Sequence, residues 1–151
     1  MNGVAALYSA RPELYSRRVQ RNGPAVPTVL LVDDDELVRE TVAGILADRG
    51  YRVLKAAHGR EALSVLTRTP RVDAVILDIM MPEMEGIEAL REIRKGWPGL
   101  PVVMISGGDR SGWNDALDMA SKLGADRTLP KPFTPSQLIA EIEAALAAPK
   151  R

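Results

Sequence analysis

The sequence predicts an α/β domain: a doubly wound sheet of five parallel strands with helices on both faces. Three observations carry this expectation. From Thr28 to Ala148, short apolar runs alternate with segments of helical period. The runs "VLLV", "AVIL" and "VVMI" are apolar throughout, as expected of strands covered on both faces. Each strand run is followed by a helical segment, and strict βα alternation implies a parallel sheet. Right-handed crossovers then bring the C-terminal ends of all the strands to one edge.

The first strand is read in "TVLLVDD". The first helix is "ELVRETVAGILADRG", with Leu37, Val38, Val42, Ile45 and Leu46 at helical spacing and Gly50 closing it. "YRVLKAA" reads as a short strand. "GREALSVLTRT" is a helix with Ala62, Leu63 and Leu66 on one face. "VDAVILD" is an apolar strand ending in acid, and "MEGIEALREIRKG" is a helix with Ile87, Leu90 and Ile93 on one side. "LPVVMIS" is a strand ending at a hydroxyl, and "WNDALDMASKLGA" is a helix ending at Gly124. "DRTLPKPF" is a short strand ending at a lysine between two prolines. The last helix is "TPSQLIAEIEAALAA", with Thr134 as N-cap and Pro135 at its first position.

The 151 residues suit one ordinary domain, placed at 28–148. Apolar residues make up 46% and aromatic residues 4%, so the core must be aliphatic. Residues 1–27 differ from the rest. They hold Arg11, Arg17, Arg18 and Arg21 against one acid, Glu13, with Pro12, Pro24 and Pro27 as punctuation. They are expected to be a flexible basic extension, with a short helix over 9–20. Residues 149–151 form a tail. Basic and acidic residues balance at 20 each, so global charge does not argue for nucleic acid or anionic membrane. The absence of cysteine excludes disulfides, thiol catalysis and cysteine-ligated metals, and fits a reducing cytoplasm. No apolar stretch approaches the roughly 20 residues of a membrane helix, and no signal peptide is apparent.

Open α/β sheets bind ligands at the strand ends. Here the first strand ends in Asp33 and Asp34, the third in Asp78, the fourth in Ser106 and the fifth in Lys131. Each has an ordinary structural reading when taken alone. One of Asp33, Asp34 and Asp35 should cap the following helix. Asp78 could only start a turn before Pro82, Ser106 could be a loop residue, and Lys131 could be solvated. Together they say more. Clustered carboxylates repel one another and resist desolvation unless a cation joins them. Oxygen-only donors suit a hard ion such as Mg²⁺ (or Mn²⁺). A cation beside a lysine attracts phosphate, and aspartate is an established phosphoryl acceptor.

The stretches "VLLVDDD", "VILDIMMPEMEG", "VVMISGG" and "LGADRTLPKPF" closely resemble the response-regulator receiver domain of bacterial two-component signalling, over residues 28 to 148. The resemblance implies a flavodoxin-like (βα)5 sheet of strand order 2-1-3-4-5. It implies that Asp78 is the phosphoacceptor, with Mg²⁺ held by Asp34, Asp78 and the Met80 backbone carbonyl, and Asp33 acting through water. Ser106 would bond a phosphoryl oxygen and Lys131 would pair with the phosphate, with a cis Lys131–Pro132 bond aiming the ammonium inward. Pro82 and Gly86 would shape the loop that carries Met80. The donor would be a histidine kinase or a histidine phosphotransfer protein. Downstream protein targets would meet the face built by the fourth helix, fifth strand and fifth helix, and homodimer formation is left open.

Departures from the family pattern shape further expectations. Thr128 stands where the family usually has an aromatic residue, so the usual coupling of a hydroxyl shift to an aromatic rotamer cannot operate as such. Met80 and Gly108 cannot readily orient an attacking water, so slow dephosphorylation is expected. The polar stretch "GGDRSGWNDALDMA" is expected either to be mobile or to shape partner choice, with Trp113 either a surface anchor or, the favoured reading, packed on the helix. His58 is expected to be a solvated loop residue. The leading expectation is a stand-alone receiver acting by protein contact, not an enzyme beyond its own phosphorylation and dephosphorylation. A receiver excised from a longer protein, or a degenerate one serving as an interaction module, would carry the same signals. An aspartate-nucleophile phosphatase is disfavoured, because the position two after Asp78 would need an acid and holds Met80. Four arginines in the extension would give at most weak, salt-sensitive nucleic-acid binding.

Overall fold

Three stretches, Thr28–Val32 (β1), Ala74–Asp78 (β3) and Val102–Ser106 (β4), are buried at every position. This is what strands sandwiched between two helical layers require. Arg52–Ala56 (β2) and Arg127–Pro130 (β5) are only partly buried. The computed structural model, which describes residues 26–79, 85–106, 118 and 120–149, explains the difference. All five strands pair in parallel in the order β2-β1-β3-β4-β5, so the two half-exposed strands are the edges. Charged Arg52, Lys55 and Arg127, with Pro130, discourage further strand pairing at those edges. Each edge is lashed to a helix by an ion pair: Lys55 to Glu40 at 2.7 Å and Arg127 to Glu141 at 2.6 Å.

The helices are α1 (Glu36–Asp48), α2 (Gly59–Arg68), α3 (Glu85–Gly96) and α5 (Pro135–Ala147). Between β4 and β5 lies α4, of which 118 and 120–122 are described. Strand alternation splits the core in two. Val29, Leu31, Ile76, Val103, Ile105 and Leu129 face α1 and α5, packing on Val42, Leu46, Leu138 and Ile142. Leu30, Val32, Val75, Leu77, Val102 and Met104 face the other way, onto Ala62, Leu66, Leu90, Ile93 and Ala120. Burying one such Leu or Ile is worth about 1.5–3 kcal/mol, so the two layers dominate stability.

Local chemistry sets the helix ends. Asp35 caps α1, its side chain accepting from the Val38 amide at 3.1 Å. Thr134 caps α5 in a reciprocal capping box with Gln137, and Pro135 opens the helix. Gly50 and Gly124 have φ of 86° and 103°. Each follows a helix whose last carbonyls accept from two successive amides beyond it: Ala47 and Leu46 from Gly50 and Tyr51, and Ser121 and Ala120 from Gly124 and Ala125. That left-handed turn favours glycine.

Three expectations need correction. Leu37 does not face the core and is 76% exposed, because the buried stripe of α1 is centred on Val42 and Leu46 and Leu37 points away from it. His58 is exposed but is not a bare loop residue. It is the N-cap of α2, its Nδ1 accepting from the Glu61 amide at 3.1 Å. The fifth strand ends at Pro130, one residue before Lys131. The expectations for residues 1–25, Met80, Pro82, Gly108 and Trp113 fall outside the described residues.

Candidate functional site

The backbone ladder runs one residue past three strands. The amide of Asp33 donates to Ala56 O at 3.2 Å, that of Ile79 to Ile105 O at 2.8 Å, and that of Lys131 to Ser106 O at 2.7 Å. The residues at the strand ends therefore sit on rigid backbone. Register then makes them neighbours. Val32 pairs with Leu77 and Asp78 with Ile105, so Asp33 follows beside Asp78, and Ser106 is one step beyond Asp78's partner. Asp78 is two residues after Ile76 and lies on the α1/α5 side of the sheet, whereas Ser106, two after Met104, belongs to the other side.

Asp33, Asp34 and Asp78 each offer a carboxylate oxygen, and these oxygens lie within 4.8 Å of one another. Asp33 and Asp78 are buried, at 1% and 4% exposure, and Asp34 is open to solvent. Lys131 Nζ stands between the two buried acids, 3.3 Å from Asp33 Oδ2 and 3.5 Å from Asp78 Oδ2. The Lys131–Pro132 bond is cis. Asp33 Oδ1 also accepts from the Asp35 amide at 2.9 Å, and the Asp33 carbonyl accepts from Arg39 Nη1 at 2.8 Å. Ser106 is fully buried at the end of β4.

The next helix approaches Asp78 closely. A Cβ placed on Gly86 would overlap the Asp78 carbonyl oxygen and crowd the Ile79 backbone. Gly86 lies in the first turn of α3, as the helical reading of that segment expects, and its missing side chain is what admits the helix to the strand end. This role was not evident from the sequence, and neither was that of Arg39. Glycine near a strand end signals close approach only in general terms, and an arginine six residues past Asp33 carries no motif.

Among the described residues, three carboxylates face the Lys131 ammonium, which leaves an excess of negative charge at a half-open, rigid edge. All the donors are oxygens, so the cluster fits a hard divalent cation and a phosphoryl group better than any soft metal. A family model for the response regulator receiver domain matches residues 29–143. The chain belongs to that family.

The receiver is 41% identical over 119 residues to response regulator MprA of Mycolicibacterium vanbaalenii, covering 78% of this chain and 49% of the relative. It is likewise 41% identical to MprA of Mycobacterium leprae, covering 50% of it. The receiver spans about half the length of these relatives. Among solved structures it resembles the receiver domain of NtrX from Brucella abortus, at 36% identity and TM-score 0.74, covering 80% of this chain and 99% of that one. It also resembles a CheY-like receiver domain protein from Methanospirillum hungatei, at 30% identity and TM-score 0.73, covering 81% and 94%. Receiver domains of this family work in two-component signal transduction and interact with histidine kinases or phosphotransfer proteins; they are not in general catalytic enzymes. Among the described residues no helix is long and apolar enough to cross a membrane.

Proposed function

We propose that this receiver takes up a phosphoryl group on Asp78 from a phosphohistidine of a kinase or phosphotransfer protein and signals in the cytoplasm by protein contact. The observation that carries the reading is the acidic cluster with Lys131 between its two buried members. An Asp78 oxygen attacks phosphorus, the P–O bond forms as the donor's P–N bond breaks, and the electron pair leaves on the imidazole, which takes a proton. Asp78 is suited to this by its place at a rigid strand end, where positioning supplies much of the rate.

Asp33, Asp34 and Asp78 would hold Mg²⁺ or Mn²⁺, with the Met80 carbonyl as a further ligand, and the cation would neutralise carboxylate and phosphoryl charge. Lys131 would exchange its hold on Asp78 for a phosphoryl oxygen, and Ser106 would donate to another. The new dianion would thereby draw on β4 and β5, and α4, β5 and α5 would carry the change to a partner. Thr128 of β5 pairs with Met104 of β4 and faces the α4 side without an aromatic ring, so this output would run through backbone and hydroxyl shifts.

The test is intact mass after incubation with Mg²⁺ and acetyl phosphate. One added phosphoryl group is expected in the parent and none in Asp78→Asn. An unmodified parent would leave the receiver as an interaction module without phosphoryl chemistry.

A further inference from the structure

The turn between β1 and α1 is held from both sides. The Asp33 amide reaches β2, Asp33 Oδ1 accepts from the Asp35 amide, and Asp35 Oδ1 accepts from the Val38 amide. One backbone carbonyl in this turn is held by a side chain of α1. The Asp33 carbonyl, which belongs to the peptide joining Asp33 to Asp34, accepts from Arg39 Nη1 at 2.8 Å. Arg39 is partly buried on α1, whose own first turn is fixed by the Asp35 cap. A charge-assisted bond from a helix to a single carbonyl sets the tilt of that peptide plane.

Asp34 begins at the far end of the same peptide. It is the exposed member of the acidic cluster, so its direction depends on the backbone that presents it rather than on surrounding packing. We propose that Arg39 is a positioning residue for the cation site, locking the Asp33–Asp34 peptide so that the Asp34 carboxylate meets those of Asp33 and Asp78. This rests on the reading of the cluster as a divalent-cation site. Arg39 acts through the carbonyl it holds.

Charge and positioning predict opposite signs. A guanidinium close to a cation site repels the cation, so on charge alone its removal should tighten binding. If Arg39 aims Asp34, its removal should weaken binding, and outer partners of metal ligands typically matter by about 10- to 100-fold. The experiment is calorimetric titration of the full chain with Mg²⁺, repeated with Mn²⁺ by electron paramagnetic resonance, for the parent, Arg39→Ala, Arg39→Lys and Lys55→Ala. Lys55 lies on β2 and pairs with Glu40, so its loss removes one exposed positive charge without touching the turn. Circular dichroism verifies that each variant is folded at the titration temperature.

We expect Arg39→Ala to lose about tenfold in affinity. Arg39→Lys, which keeps a charged donor, should recover part of the loss, and Lys55→Ala should bind as the parent or slightly tighter. Arg39→Ala binding as well as or better than the parent would overturn the positioning role and leave the site reading intact. Equal losses in Arg39→Ala and Lys55→Ala would also overturn it. A parent that binds neither ion would overturn the site reading itself, and this inference with it.

Discussion

The two ends of the sheet use aspartate in opposite ways. At the N-terminal edge, Asp73 precedes β3 and Asp126 precedes β5. Asp73 accepts from the Thr28 amide at 2.7 Å and from Arg71 Nε at 3.2 Å. Asp126 Oδ2 accepts from the Val102 amide at 2.8 Å and from Arg94 Nη2 at 2.6 Å. Arg94 also donates to the carbonyls of Gly124 and Leu100, clamping α3 to the loops that enter β4 and β5. Each of these acids has its own arginine and its own backbone amide. At the C-terminal edge, among the described residues, Asp33, Asp34 and Asp78 face the Lys131 ammonium, with the Arg39 guanidinium on the Asp33 carbonyl. Burial does not separate the two groups, since Asp33 and Asp78 are more buried than Asp73. Charge compensation does. An acid paired one-to-one with an arginine holds the fold together, whereas three carboxylates gathered on rigid backbone keep an excess of negative charge, which fits a cation.

The sharpest test of this contrast is phosphoryl uptake. Asp126→Asn should gain one phosphoryl group from acetyl phosphate as the parent does, while Asp78→Asn gains none; uptake in both variants would erase the distinction. Stability should show the reverse pattern. Arg94→Ala removes the guanidinium paired with Asp126 and should cost about 3 kcal/mol in urea denaturation. Asp78→Asn removes one of three like charges and should leave stability equal or raised.

Cation binding divides the edges again. Mg²⁺ at 100 times its Kd should add about 2.7 kcal/mol to the stability of the parent. A rise of roughly 5–10 °C in Tm is then expected, persisting in Asp73→Asn and shrinking in Asp78→Asn. A Tm indifferent to Mg²⁺ in the parent would contradict a cation site at this edge. Gly86→Ala should cost about 1–3 kcal/mol, because the new methyl must displace the backbone of Asp78 and Ile79. It should also weaken Mg²⁺ binding, unlike an equally destabilising change at the other edge such as a trimmed Leu100.

The smallest effect lies beside neither cluster. His58→Asp puts a stronger, negatively charged cap on α2 and should stabilise by roughly 0.5–1 kcal/mol in thermal melts, with cation affinity unchanged. A loss of stability would show that the imidazole's role extends beyond the cap.

Much of this architecture is written in local pattern. Continuous apolar runs mark β1, β3 and β4 because a strand buried on both faces keeps its interior positions apolar, the polar Thr28, Asp78 and Ser106 standing only at strand ends. Thr134–Pro135 and Gly50 mark helix ends because capping and positive φ are decided by a few neighbouring atoms. The positions of Asp33, Asp34, Asp78, Ser106 and Lys131 follow from the same pattern, since parallel βα units bring their strand ends to one edge.

Other features were decided only when elements separated in sequence met. Whether Leu37 faced in or out depended on how α1 settled on the sheet, because a helical stripe fixes which residues share a face but not where the face is centred. Asp73 and Asp126 differ in sequence from Asp33 and Asp78 in standing before a strand rather than at its end, which does not say which acids gain an arginine. What separates them is Arg71 and Arg94, together with the amides of Thr28 and Val102, and most of those partners arrive from other strands and helices. By itself, then, the sequence determined which residues form each strand and helix and which stand at the strand ends, because periodicity and caps act over a few residues. Only the tertiary structure decided which carboxylates find a compensating charge, because Coulomb and hydrogen-bond energies depend on distances across the fold.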